Sequence, residues 1–202
     1  MIENKSLNLS PANLSVTVLG DGGVGKTALV LRITQNEFFE NIPPTIDESY
    51  YLTLDVDGTK NRILVFDTAG QEDFIAMREQ YTRKADGFLL VFSLNCLESF
   101  SKIPNFISSI GYNKNNPNFC NIVLVGNKFD LSEHRKVKYD DALATAKKYR
   151  ISYCETSAKT GENVTEAFSQ IIRKIKENPQ PNPTLNKNVA VKKKPKRKCT
   201  LL

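Results

Sequence analysis

The segment of this chain with the clearest chemistry is a short glycine-rich stretch near its start. Residues 20–27 read GDGGVGKT and fit the pattern GxxxxGK[ST]. Glycines carry no Cβ, so consecutive backbone N–H groups in such a stretch can converge on phosphate oxygens. The ammonium group of Lys26 can reach β- and γ-phosphates, and the hydroxyl of Thr27 can bind Mg²⁺. A glycine-rich turn without a ligand is the alternative, but the strand predicted before it and the helix predicted after it favour a phosphate site.

Two later segments indicate that the base of the nucleotide is guanine. Asn127-Lys128-Phe129-Asp130 and Ser157-Ala158-Lys159 each follow a predicted strand. The Asp130 carboxylate can accept hydrogen bonds from the guanine N1–H and exocyclic amine, and a backbone N–H of the second segment can donate to the guanine O6. Adenine lacks this pair of donors and would leave a desolvated carboxylate unpaired, so discrimination can reach several orders of magnitude. Each motif alone is weakly specific, but together with the glycine-rich segment they predict a guanine-nucleotide site.

The residues between these motifs alternate between strand and helix patterns. We predict strands over residues 14–19, 50–56, 62–66, 87–94, 121–126 and 151–154. We predict helices over residues 26–36, along an apolar face at 100–110, over 140–149 and after Asn163. This alternation indicates an α/β domain with a mixed, mostly parallel six-stranded sheet flanked by about five helices. The GxxxxGK[ST] segment between the first predicted strand and the first predicted helix makes this the P-loop NTPase fold. The motifs fall at the carboxyl ends of predicted strands, where such sheets bind ligands.

Two local signals refine the prediction. Asp57-Gly58 lies between two predicted strands and favours a tight hairpin, which makes one strand antiparallel. Asn163, with Glu166 three residues later, fits the pattern of a capping box at the start of the last helix.

Charge divides the chain into a nearly neutral body and a basic end. The net charge is +6, and seven of the 28 Lys and Arg residues lie from Lys187 onward, where no acidic residue occurs. We therefore expect a short polar extension over 1–12, one domain over 13–177 and a disordered tail over 178–202. A neutral body argues against a folded nucleic-acid-binding surface. No apolar run is long enough for a membrane span or a signal peptide, and Ile2 excludes N-myristoylation.

Over about residues 14–176 the sequence resembles the Ras branch of the small GTPases. It carries GDGGVGKT, PTIDESY, DTAGQEDF, NKFD and ETSAK in the order of that family. The resemblance implies a monomeric switch that binds GTP with Mg²⁺, hydrolyses it slowly to GDP and phosphate, and signals in the GTP state. The residues implied to hold the nucleotide are Gly20, Asp21, Gly22, Gly23, Val24, Gly25, Lys26, Thr27, Ala28, Phe38, Thr45, Asp67, Gly70, Asn127, Lys128, Asp130, Ser157, Ala158 and Lys159.

The resemblance also assigns roles in hydrolysis. Gln71 corresponds to the residue that orients the attacking water, and it acts together with Lys26, Gly70 and Thr45. Mg²⁺ would be held by Thr27 and Thr45 directly and by Asp67 through water. No arginine finger is evident in this chain, so an activating protein is expected to supply one, and an exchange factor is expected to promote release of GDP.

The implied effector-binding region departs from the family pattern. It comprises Ile42, Pro43, Pro44, Thr45, Ile46, Asp47, Glu48, Ser49 and Tyr50. Ile42 replaces a tyrosine, Pro43 replaces an acidic residue, and Asp47-Glu48 reverses the usual order. These departures leave the identity of the effectors open.

The end of the chain predicts a lipid anchor. Cys199-Thr200-Leu201-Leu202 fits a CaaX box whose final Leu favours geranylgeranylation of Cys199. One lipid binds a membrane marginally, and the basic run at 192–198 is the expected second signal. We expect the cytoplasmic face of a membrane, and the plasma membrane in particular. The same run, KKKPKRK, also fits a nuclear localisation signal, which is the alternative.

Two other functions compete with the switch. A nucleotide-binding scaffold that does not hydrolyse GTP is one, but Gly22, Thr27, Thr45, Asp67 and Gln71 are all present, which favours hydrolysis. A P-loop ATPase or kinase is the other, and the predicted role of Asp130 in reading guanine argues against it.

Overall fold

The computed structural model describes residues 12–45, 47–68 and 75–179 of the chain. Its strands are β1 (Leu14–Gly20), β2 (Asp47–Val56), β3 (Thr59–Thr68), β4 (Gly87–Ser93), β5 (Ile122–Asn127) and β6 (Ser152–Glu155). Its helices are α1 (Lys26–Gln35), α2 (Ile75–Lys84), α3 (Leu97–Ser101), α4 (Ile103–Asn113), α5 (Tyr139–Tyr149) and α6 (Val164–Glu177). A 3₁₀ segment covers Phe129–His134.

The six strands form one mixed sheet in the order β2-β3-β1-β4-β5-β6. The β1, β3, β4, β5 and β6 strands pair in parallel, and β2 pairs with β3 in antiparallel orientation. The predicted hairpin is confirmed: Asp57 and Gly58 have φ angles of 54° and 74°, as a primed turn requires. The predicted α/β fold with a mostly parallel sheet is therefore correct, and β2 and β3 are longer than the sequence pattern suggested.

The core lies on both faces of the sheet, because β1, β4 and β5 are buried nearly throughout. One apolar cluster joins the sheet to α1 and α6, and the other joins it to α4 and α5. The inward face that the sequence predicted for α6 is confirmed, because all of its apolar members are buried. These are Val164, Ala167, Phe168, Ile171, Ile172 and Ile175. This packing holds the carboxyl ends of the strands, where the motifs lie, at one edge.

The described part of the chain has six α-helices, which agrees with the expected number of about five. The segment predicted to carry one apolar face at 100–110 is divided at Lys102 into α3 and α4, and α2 is not among the predicted ranges. Pro104 lies in the first turn of α4. Its missing N–H and its constraint on the preceding residue explain why the helix restarts there.

The predicted capping box at Asn163 is wrong. Asn163 does occupy the N-cap position of α6, but with a left-handed φ of 55° and no side-chain hydrogen bond to the helix. Its Nδ2 donates instead to the Glu155 carbonyl oxygen at 3.0 Å. The side chain thus fastens the loop after β6 rather than the first turn of α6.

Within the described ranges, no helix combines the length and the apolar character needed to cross a membrane. The predicted N-terminal extension lies outside the described residues up to residue 11, and the predicted tail lies outside them from residue 180 onward.

Candidate nucleotide-binding site

The glycine-rich segment at 20–27, the phosphate loop, connects the last residue of β1 to the first residue of α1, as predicted. Gly20 has a φ of 150°, and a Cβ there would overlap the backbone oxygen of Val91 on the neighbouring strand β4. Gly25 has a φ of 94°, and a Cβ there would overlap Nδ2 of Asn127. Both positions therefore require glycine, for backbone conformation and for space. The loop can run this close to β4 and β5 only because positions 20 and 25 carry no side chain.

The side chain of Lys26 lies inside the curve of this loop. Its Nζ donates to the carbonyl oxygens of Gly20 at 3.1 Å and of Asp21 at 2.7 Å, and the residue is only 6% exposed. A buried ammonium group in a loop of backbone N–H groups, at the N-terminus of α1, makes the site strongly attractive to an anion.

Asn127, at the end of β5, joins the phosphate loop to the segment predicted to read the base. Its Nδ2 donates to the Val24 carbonyl oxygen at 2.9 Å. Its Oδ1 accepts from the Thr156 hydroxyl and from the Ala158 backbone N–H, both at 3.2 Å. Lys128 adds a second link, because its Nζ donates to the Gly23 carbonyl oxygen at 2.8 Å. Three segments far apart in sequence are thus held together by two neighbouring side chains.

Asp130 and Ser157 are also brought together. The Ser157 hydroxyl donates to Oδ1 of Asp130 at 2.6 Å and accepts from the Thr160 backbone N–H at 3.0 Å. This contact fixes the orientation of the carboxylate that the sequence predicted to read guanine. Lys159, next in the same segment, forms an exposed ion pair with Glu40 at 3.5 Å.

Two adjoining cavities follow these groups. One, of about 380 Å³, opens beside the phosphate loop, and the other, of about 230 Å³, opens beside Asp130. The predicted residues that line the first are Gly22, Gly23, Gly25, Lys26, Thr27, Ala28, Phe38, Thr45 and Lys128. Those that line the second are Gly25, Ala28, Phe38, Asn127, Lys128, Asp130, Ala158 and Lys159. The shared residues make one groove with a cationic end and an end that carries a carboxylate.

Five other predicted contact residues line neither cavity. Gly20 and Asp21 lie at the start of the phosphate loop, and Val24, Asp67 and Ser157 are at most 1% exposed.

The predicted metal ligands are all oxygen donors. The hydroxyls of Thr27 and Thr45 lie 2.7 Å apart, which brings the segment before β2 onto the start of α1. Asp67 is buried in β3 beside Val18 of β1. Hydroxyl and carboxylate oxygens are the donors that Mg²⁺ prefers, so these residues fit the predicted ion.

Several predicted residues lie outside the described part of the chain. These are Ile46, Gly70, Gln71, Cys199 and the basic run at 192–198. Within the effector region, Pro43, Pro44, Glu48 and Ser49 are exposed. Tyr50 donates its hydroxyl hydrogen to Glu48, and burial together with this carboxylate raises the pKa of Tyr50 to about 12.

Sequence reasoning missed an ion pair between the phosphate loop and the junction of α3 and α4. Lys102, at the junction of α3 and α4, lies 2.8 Å from Oδ2 of Asp21 and 3.5 Å from Glu98. Burial alone would raise the pKa of Asp21, but hydrogen bonds from Lys102 and the Gly22 backbone outweigh it and lower that pKa. The Asp21 carboxylate is therefore ionised, and the positive charge of Lys102 balances it. Only the helical spacing of Glu98 and Lys102 hinted at a charge pair there.

A second missed network braces the segment that carries Asp130. Arg135 donates two hydrogen bonds to Glu155 at 2.9 and 2.5 Å, and the Tyr153 hydroxyl donates to the same carboxylate at 2.6 Å. Burial would raise the pKa of Glu155, but these bonds and the charge of Arg135 lower it overall. The network connects the residue after the 3₁₀ segment to β6. The segment that carries Asp130 and the segment that follows β6 are therefore held by the same hydrogen bonds.

Comparison with known proteins places this site in a family context. The Ras family model matches residues 15–177. The chain is 44% identical to the human Ras-related protein R-Ras over 161 residues, which cover 80% of this chain and 73% of that protein. It is 40% identical to Ras-like protein 2 of Drosophila melanogaster, covering 93% and 96% of the two chains, and 41% identical to the Ras-related protein ralB-A of Xenopus laevis, covering 87% and 86%.

The bonds to Glu155 predict a pH-dependent contribution to stability. A carboxyl group with a lowered pKa stabilises the folded state above its usual pKa, and this stabilisation is lost as the pH falls through the lowered value. We expect Glu155→Gln to reduce the free energy of unfolding at pH 7 by about 2 kcal/mol, since charged hydrogen bonds are lost from a mostly buried group. Urea unfolding with a fixed excess of GDP, at pH values from 7 to below 4, would measure this. The difference between wild type and variant should shrink at the acid end, and a difference that stays constant would contradict the assignment.

Proposed function

This chain belongs to the Ras family, and we propose that it is a membrane-anchored, Mg²⁺-dependent switch that binds effectors in its GTP state. As a member of that family it is a GTP-hydrolysing enzyme and a GTP-binding signalling switch. The metal, the anchor, the effector contacts and the roles of individual residues are the parts that we propose.

The observation that carries the proposal is the bonding of Asn127. One amide group holds both the phosphate loop and the Ala158 segment, so the two ends of the groove have a fixed separation. A guanine nucleotide needs such a groove, with donors for its phosphates at one end and the Asp130 carboxylate for its N1–H and amine at the other. A site for phosphate alone would have no use for a second, carboxylate-bearing end.

We assign the groups in the groove to positioning and charge neutralisation. Lys26 and the loop N–H groups bind the phosphates, and Asp130 and the Ala158 segment bind the base. Thr27, Thr45 and Asp67 would hold Mg²⁺, which supplies positive charge to the β- and γ-phosphates when bound. Gln71 would orient the attacking water. Chemistry of this type needs accurate placement more than a strong base.

The switch follows from the same contacts. Thr45 and Gly70 would be held by the γ-phosphate side of the site, and hydrolysis would release them. Because Thr45 lies in the effector region, its release changes the surface that effectors bind. Its contact with Thr27 supports this coupling, since it brings the effector region against α1.

Intrinsic turnover should be slow, because this chain provides no evident arginine finger. An arginine from an activating protein would accelerate hydrolysis by roughly 10³–10⁵-fold, the range that Ras GTPases themselves exemplify. A Cβ placed at Gly22 meets no described atom within 4 Å, so the described residues leave space beside the phosphate loop for such a group.

Membrane attachment is proposed from the sequence of the tail. Geranylgeranylation of Cys199 would supply one anchor, and the six basic residues at 192–198 would add up to about 1 kcal/mol each at an anionic surface. The proposed location is the cytoplasmic face of the plasma membrane.

Asp130→Asn tests the identity of the base. The amide would offer a donor where the carboxylate accepts, so we expect the affinity for GDP to fall by at least about 100-fold, while the affinity for xanthosine diphosphate rises. Nucleotide titrations of the metal-loaded protein would measure both. An unchanged affinity for GDP would refute the assignment and reopen the ATPase alternative.

Gln71→Leu tests hydrolysis against the scaffold alternative. The leucine cannot orient water, so we expect phosphate release from bound GTP in single turnovers to slow by about tenfold or more without a change in GTP affinity. Wild type and Gln71→Leu releasing phosphate equally slowly, even with an activating protein present, would leave Gln71 without its proposed role.

Cys199→Ser tests the anchor. Without the thiol no prenyl group can attach, so the variant should move from the membrane fraction to the cytosol in cell fractionation. A matched variant with the six basic residues at 192–198 changed to Gln should weaken membrane binding while lipid attachment persists. If Cys199→Ser leaves the membrane fraction unchanged, the lipid model is wrong, and a loss of nuclear protein in the Gln variant would support the nuclear alternative.

A further inference from the structure

Arg32, which no motif singled out, connects α1 to the segment predicted to read the base. Its Nε donates to the Ala158 carbonyl oxygen at 2.8 Å, and its Nη2 donates to the Lys159 carbonyl oxygen at 2.6 Å. Its Nη1 donates to the backbone and side-chain oxygens of Asn36 at 3.0 and 3.2 Å. One guanidinium group therefore gathers oxygens from the end of α1 and from a loop more than 120 residues away.

These bonds fix the direction of the peptide units that face the groove. No cis peptide occurs in the described residues, and in a trans peptide the C=O and N–H bonds point in opposite directions. The Ala158 C=O and the Lys159 N–H belong to the same peptide unit. Because the C=O points toward Arg32, the N–H must point away from Arg32. The Ala158 N–H is held from the opposite side by Oδ1 of Asn127. Both Ala158 and Lys159 line the cavity beside Asp130.

We propose that Arg32 is a positioning residue for guanine recognition, which fixes the Ala158–Lys159 peptide unit and so holds the backbone N–H of Lys159 in place for the 6-oxo group of the base. The inference rests on the proposed function, because it assumes that this segment reads the base. What it adds is a role for α1: recognition of the 6-oxo group would depend on Arg32 near the C-terminal end of this helix.

The chemistry of this position suits arginine in particular. A guanidinium group offers several N–H donors in a rigid plane, so one side chain can serve carbonyl oxygens that approach from two sides. The ammonium group of lysine is a point charge on a flexible stem and cannot hold the same oxygens in the same plane. Arg32→Lys is therefore an informative variant, because it keeps the charge and removes the fork.

The test compares two ligands that differ at the proposed contact. GDP carries the 6-oxo group, and 6-thioguanosine diphosphate keeps the N1–H and the 2-amino group but replaces the 6-oxo oxygen with sulfur, a weaker hydrogen-bond acceptor. For Arg32→Ala we expect the affinity for GDP to fall by about tenfold, mainly through faster dissociation, and the affinity for the analogue to change much less. Arg32→Lys should resemble Arg32→Ala. Stopped-flow association and dissociation of both nucleotides, with Mg²⁺ present, would give these values.

A matched control is Arg173→Ala. Arg173 on α6 also donates two hydrogen bonds, but to Asp57 in the β2–β3 hairpin, outside both cavities. This variant should leave the ratio of the two affinities unchanged. If Arg32→Ala and Arg32→Lys weaken both nucleotides equally, or weaken neither, the proposal is overturned and Arg32 only supports the fold. If wild type binds neither nucleotide, the proposed function itself fails.

Discussion

The site depends on one buried amide group. Asn127 ends β5, which is paired on both sides within the sheet, and uses both of its polar atoms on backbone groups of two separate loops. A buried amide that loses one of these partners leaves a desolvated polar group, which is costly. The phosphate loop and the base-side loop are therefore fixed relative to each other before any ligand binds. Preorganisation of this kind lowers the cost of ordering loops during binding.

Charge compensation gives the site its second constraint. The phosphate loop contains a carboxylate of its own, Asp21, in a region that must attract anions. Lys102, the residue that separates α3 from α4, balances it at 2.8 Å. The junction of these two helices thus contributes to the electrostatics of the groove.

Much of the fold and the centre of the site could be predicted from the sequence, because they depend on local patterns. The glycines of the phosphate loop, the Asp57-Gly58 turn and the apolar strands each carry their signal within a few neighbouring residues. The contacts of Arg32, Arg135 and Lys102 could not be predicted. In the sequence, a basic residue in a helix or next to its end looks the same whether or not the fold brings a distant carbonyl or carboxylate oxygen beside it. Asn163 was misjudged for a related reason: its side chain had two possible backbone partners, and only the packed loop after β6 decides between them.

The closeness of Gly25 to Asn127 has a consequence for how this protein can evolve. A Cβ at position 25 would occupy the space of the Asn127 amide, and the φ of 94° separately requires glycine there. A smaller side chain at position 127 would therefore not by itself permit another residue at position 25. Substitutions are easier at residues that carry neither constraint, such as the exposed Pro43, Pro44, Glu48 and Ser49 of the predicted effector region.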